Sequence, residues 1–103
     1  MSYFAVTREH GSAWNASLPM KEQKQWTEQA VFMNKLVDQG FVILGGPLGD
    51  GLRTLLIVNS DSEKTIEAVP AADPWTKMRL LAITNIERYE VLLERRGEAG
   101  ASP

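Results

Sequence analysis

The sequence predicts an α+β fold in the ferredoxin-like order β-α-β-β-α-β. Three observations point to it. Four apolar or β-branched runs read as strands, a long stretch of helical periodicity separates the first from the second, and a short capped stretch separates the third from the fourth.

Tyr3–Thr7 (Tyr-Phe-Ala-Val-Thr) is the first strand. Glu9–Pro19 is a loop of Gly, Ser and Asn with Trp14 at its centre. A Trp in such a loop is expected to fold over something, because so large an apolar ring is rarely left in water. A helix is expected from about Met20 to Gln39, with Pro19 tolerated at its start and Gly40 as its stop. At about 100° per residue, Trp26, Ala30, Met33 and Val37 fall on one stripe, widened by Phe32 and Leu36. Gln29 falls on that apolar side as a polar exception. Phe41–Leu44 is the second strand, Gly45–Gly51 a loop with Asp50-Gly51 as a hairpin signal, and Arg53–Val58 the third strand. Ser60-Asp61-Ser62-Glu63 matches a capping box and opens a second helix that Pro70 ends. Asp73-Pro74-Trp75 punctuates the chain again, and Leu80–Leu93 is the last strand, bent near Asn85–Arg88. Residues 1–94 thus read as one domain, and 95–103, without a large apolar side chain, as a flexible tail.

A sheet with one solvated face alternates apolar and polar residues. Phe41–Leu44 and Leu55–Val58 are apolar throughout, so something must cover the second sheet face. A chain of 103 residues has nothing left to do so, and a second copy is the economical answer: the expected assembly is a homodimer.

Composition narrows the chemistry. There is no Cys, hence no disulfide, thiol nucleophile or Cys-based metal site, and His10 is the only His, too few for a multi-His metal site. No metal and no cofactor is expected. Lys+Arg 11 against Asp+Glu 13 gives a net charge of −2, where a nucleic-acid binder would show a basic stripe. No run approaches the roughly 20 apolar residues of a membrane span, and no signal peptide opens the chain, so a cytoplasmic location is expected.

Several residues carry two readings. Gly45–Gly51 is glycine-rich but lacks the Gly-Lys-Ser/Thr ending of a phosphate loop and precedes a strand, which favours a hairpin; Gly46 keeps the alternative of a close backbone approach to a ligand. Asp73-Pro74 is either an N-cap with Pro in the first helical position, or a carboxylate at a pocket mouth with a role in proton transfer. Gln29 is either a satisfied core amide or a pocket hydrogen-bonding group. His10 is either an exposed loop side chain or a proton carrier, being the only group with an unperturbed pKa near neutrality. Trp14, Trp26 and Trp75 either pack the core, the safer reading for Trp26, or line a pocket for an aromatic ligand.

Taken together, Tyr3-Phe4-Ala5-Val6, Arg8-Glu9, Trp14, the helix closed by Gly40, Gly45-Gly46-Pro47-Leu48 and Asp73-Pro74-Trp75 resemble the YciI-like (YCII-related, DGPF-type) domain family over roughly Tyr3 to Leu93. The resemblance implies a dimeric α+β barrel built from ferredoxin-like protomers, and small-molecule enzymes whose proposed active-site pair is a helix His with the Asp of the Asp-Pro-aromatic motif. Asp73, Pro74 and Trp75 match that motif, and Gln29 stands where the His is expected. Gln exchanges hydrogen bonds but does not titrate.

The expected function is therefore that of a small-molecule enzyme with a pocket between sheet and helix, performing isomerase- or lyase-type proton transfer. Asp73 would be the acid/base, His10 and Gln29 would orient the substrate, and Trp14, Trp26 and Trp75 would form walls, with Gly46 and Pro47 also binding the substrate. The alternative is a ligand-binding or regulatory module without catalysis, favoured by Gln29 in place of His.

Overall fold

The computed structural model describes residues 2–49 and 51–94. Its elements run β1 (Ser2–His10), α1 (Trp26–Asp38), β2 (Val42–Pro47), β3 (Arg53–Ser60), α2 (Glu63–Ala68), α3 (Pro74–Lys77) and β4 (Leu81–Tyr89), with 3-10 turns at Met20–Glu22 and Val69–Ala72. The four strands form one antiparallel sheet in the order β2-β3-β1-β4. This is the ferredoxin-like α+β topology. Asp50 and the expected tail, residues 95–103, lie outside the described residues.

Side chains alternate along a strand, so one face of the sheet meets the helices. Phe4, Val6, Leu56 and Val58 form an apolar cluster there with Val42 and Ile66, and Met33 and Leu36 of α1 pack onto it. A second cluster, Trp75, Leu80 and Leu81, lies toward the other end of β1 and is joined by Trp14, Met20 and Trp26. Between them, the alternation that buries Phe4 and Val6 places Arg8 on the same inner face.

Several element boundaries differ from expectation, each for a local reason. The helix expected from Met20 begins only at Trp26, because Gln25 takes a left-handed conformation (φ 57°). Just before it, Gln23 is buried and turned toward the preceding loop: it accepts from the Asn15 N–H at 3.1 Å and donates to the carbonyls of Asn15 (2.7 Å) and Leu18 (2.9 Å). The far end of α1 stops at Gly40 (φ 80°), where the Gly40 N–H donates to the Val37 carbonyl and the Phe41 N–H to the Leu36 carbonyl, a Schellman closure. Val37, expected on the apolar stripe, is half exposed.

β2 extends through Gly45–Pro47, residues expected in the loop. Gly45 can pair there because it has no Cβ: one would run into the buried Leu56 side chain and stand 3.2 Å from the Leu55 carbonyl. β1 runs on to His10, so His10 ends a strand rather than entering a loop. The cap of α2 is Ser62, whose hydroxyl accepts from the Thr65 N–H at 3.4 Å, not the Ser60 of the expected capping box; the Ser60 hydroxyl instead donates to the Ser62 carbonyl at 3.0 Å. β4 is shorter than expected. Its irregularity falls at Thr84, where the register slips between Thr7 and Arg8, just ahead of the expected bend.

Candidate functional site

The site is built around one buried carboxylate. Asp73 has β-region backbone angles and caps α3, with Pro74 in the first turn. The backbone N–H groups of Trp75 and Thr76 donate to its Oδ1 at 2.8 and 3.4 Å. Its Oδ2 accepts from Arg8 Nη1 at 2.9 Å and from Gln29 Nε2 at 3.1 Å. Asp73 is 1% exposed and Arg8 4% exposed. A lone buried charge is very costly, and here the pair and its added hydrogen bonds offset that cost.

Gln29 completes a small closed network. It donates to Asp73 through its amide nitrogen, while its carbonyl oxygen accepts from the Trp75 N–H at 3.3 Å. The polar exception on the apolar side of α1 thus ties the helix to the start of α3. The Trp75 ring donates through Nε1 to the Lys24 carbonyl at 2.7 Å, which fixes the ring against the segment leading into α1.

Above this network lies a cleft of about 350 Å³ between α1, the Gly45–Pro47 stretch of β2 and the inner face of the sheet. Trp26, Met33, Leu56 and Trp75 supply apolar walls, Gly46 and Pro47 a backbone edge, and Arg8, Gln29 and Thr54 the polar floor. Three of Asp73's hydrogen-bond partners, Arg8, Gln29 and Trp75, line the cleft; Asp73 itself does not. The carboxylate expected at a pocket mouth is instead buried, because capping α3 and pairing with Arg8 turn both of its oxygens inward.

The structure separates the remaining expected site residues. Trp26, Gln29, Gly46, Pro47 and Trp75 meet at the cleft. Trp14 and His10 do not line it. Trp14 covers the Trp75 ring edge-on, with centroids 5.6 Å apart, and His10 stacks on Trp14 at 3.8 Å, so both belong to an aromatic row behind the cleft. Trp14 is held there by the loop. Gly11 donates to the Leu80 carbonyl and Ala13 to that of Arg79, and a Cβ on Gly11 would run into the Arg79 carbonyl. Among the described residues His10 makes no hydrogen bond to Asp73 or Gln29, and its buried Nε2 has no hydrogen-bond partner.

Several cleft residues escaped the sequence reading as site residues, among them the two polar strand residues Arg8 and Thr54. The signal for both is period two: the step Phe4, Val6 leads to Arg8 on the same face, and the step Val58, Leu56 leads to Thr54. A charged residue at an inward position of a strand marks either a pair or a site. Nothing in the sequence signals the role of Gln23 in holding the loop. Among the described residues no group of three or more His, Cys, Asp and Glu could hold a metal ion, and no helix is long and apolar enough to cross a membrane.

No protein-family model matches the chain, and no curated protein does either. Its fold is similar to that of a solved structure, 5-chloro-2-hydroxyhydroquinone dehydrochlorinase (TftG) from Burkholderia phenoliruptrix AC1100 in complex with 2,5-dihydroxybenzoquinone. The likeness has a TM-score of 0.59 and 24% identity, and covers 85% of this chain and 93% of that one. The chain therefore has the α+β fold of a small enzyme of known structure.

Proposed function

We propose that this chain is a cytoplasmic small-molecule protein of the YciI-like kind, one domain over residues 1–94, that forms a homodimer through the open face of its sheet. Each protomer binds one small, planar, aromatic or quinone-like metabolite in the cleft beneath α1 and performs proton-transfer chemistry of the isomerase or lyase type. The observation that carries the reading is a largely apolar cleft with Arg8, Gln29 and Thr54 on its floor, the usual form of a small-molecule site. The bound quinone in the similarly folded dehydrochlorinase supports the choice of ligand.

Asp73 acts in this reading through its partners: it holds Arg8 and Gln29 toward the ligand, with His10 and Trp14 backing the Trp75 wall. A second reading, ligand binding without turnover, is favoured by a specific observation. Both Asp73 oxygens already accept hydrogen bonds, and Gln29 at the helix position does not titrate.

Trp26 and Trp75 line the cleft, so a panel of hydroquinones and hydroxyquinones can be titrated by tryptophan fluorescence and followed for turnover by absorbance. Saturable quenching supports the site; no quenching across the panel sinks it. Turnover that is lost in Asp73→Asn while binding persists supports catalysis. Binding without turnover in the native chain, with turnover appearing in Gln29→His, supports the module.

A further inference from the structure

We infer that the cleft selects ligands bearing an ionised oxygen, and that Arg8 and Thr54 are the residues that read it. The inference rests on the proposed small-molecule site and names the class of ligand that site takes. Arg8 carries five N–H donors. It donates to Asp73 through Nη1 and makes no other side-chain hydrogen bond among the described residues, and its Nε is buried without a partner. Thr54 is the direct cross-strand neighbour of Arg8, is buried, and its hydroxyl makes no hydrogen bond among the described residues. Both residues line the cleft, and Gln29 beside them has a second amide hydrogen beyond the one given to Asp73.

The carboxylate and amide oxygens on this floor are spent, while Arg8 and Gln29 keep donors and the Thr54 hydroxyl is free to donate. The Asp73 oxygens serve Arg8, Gln29, Trp75 and Thr76, and the Gln29 oxygen serves Trp75. A ligand oxygen entering here meets donors, one of them cationic, in a largely apolar surround. Hydrogen bonds to a charged group in such a setting are the strong ones. An enolate, phenolate or carboxylate oxygen fits that floor; its methyl ether does not. Asp73 is a positioning residue here, since it fixes the guanidinium without touching the ligand.

The test compares 2-hydroxy-1,4-naphthoquinone, ionised at neutral pH, with 2-methoxy-1,4-naphthoquinone, which is neutral and has the same ring, in the full chain by calorimetry. The anion is expected to bind about tenfold or more tighter than the ether. Arg8→Lys keeps a charge for Asp73 but loses the guanidinium fork, and is expected to erase most of that ratio. Thr54→Val, nearly isosteric, is expected to lower it about threefold. If Arg8→Lys does not fold, Thr54→Val decides alone. A native ratio near one, or a ratio unchanged in every folded variant, overturns the inference while leaving the site itself standing. Failure of both compounds to bind overturns the site and the inference together.

Discussion

On the helix-covered face of the sheet, β1 buries Phe4, Val6 and Arg8, and β3 buries Thr54, Leu56, Val58 and Ser60. On the opposite face the same strands present Tyr3, Ala5, Thr7, Leu55 and Ile57, none of them buried, and Leu44 of β2 stands 60% exposed beside Ile57. The covered face holds a buried charge, and the open face is apolar at its centre, with Thr7, Glu9, Arg53 and Asn59 toward its ends. Inside the protomer a charge is tolerable where another element brings its partner, as α3 brings Asp73 to Arg8. The open face has no such element. Its apolar surface, running from Ile43 and Leu44 to Tyr89, is the kind that marks a site for another protein surface.

The covered face is broken most severely by removing half of its buried pair. Asp73→Ala leaves the Arg8 guanidinium in the interior without its carboxylate and strips the cap from α3. The expected loss is about 3–5 kcal/mol, read as a lower midpoint in urea denaturation followed by circular dichroism. A loss below about 1 kcal/mol, the range of exposed pairs, would mean that the network is not buried in solution.

The open face is broken differently. Leu44→Glu puts a charge at an exposed position of the protomer, so it should leave the folded protomer nearly as stable while weakening self-association. Losing one buried Leu from an interface costs about 1.5–3 kcal/mol. Sedimentation should then show a dimer giving way to monomer at micromolar concentration, with the circular dichroism spectrum unchanged. A native chain already monomeric at that concentration would leave the open face without its proposed partner.

The two faces were not equally legible in the sequence. The strand order followed from the alternation of apolar runs with helical stretches, and the need for a cover on the second face followed from Leu55 and Ile57 standing next to Leu56 and Val58. The cap reading of Asp73-Pro74 also followed from local chemistry, since Asp and Pro are preferred at those two positions. The site was harder, because it is made by pairs far apart in the chain. Arg8 and Asp73 are 65 residues apart and Gln29 and Asp73 are 44 apart, and no local pattern reports which of two polar singletons will meet. Gln23 was invisible for the same reason: its partners are the main chain of a loop, which carries no side-chain signature.

The finest contrast between the faces is held in two adjacent glycines. Gly45 pairs with Leu56, whose side chain points to the covered face, and Gly46 pairs with Leu55, whose side chain points to the open one. A methyl group at Gly45 would meet the Leu56 side chain, and that side chain is already packed in the core. A methyl group at Gly46 would meet nothing within 4 Å among the described residues. Neither residue has a positive φ, so the backbone tolerates alanine at both. Gly45→Ala should therefore cost about 1–3 kcal/mol, as overpacking does, and Gly46→Ala should stay within about 0.5 kcal/mol of the native chain. Equal costs at the two positions, measured by urea denaturation at a protein concentration where the chain is monomeric, would mean that the Gly45–Pro47 edge is not seated against Leu56 as described. A cost at Gly46 that appears only at concentrations where the chain self-associates would place that methyl group against the second copy.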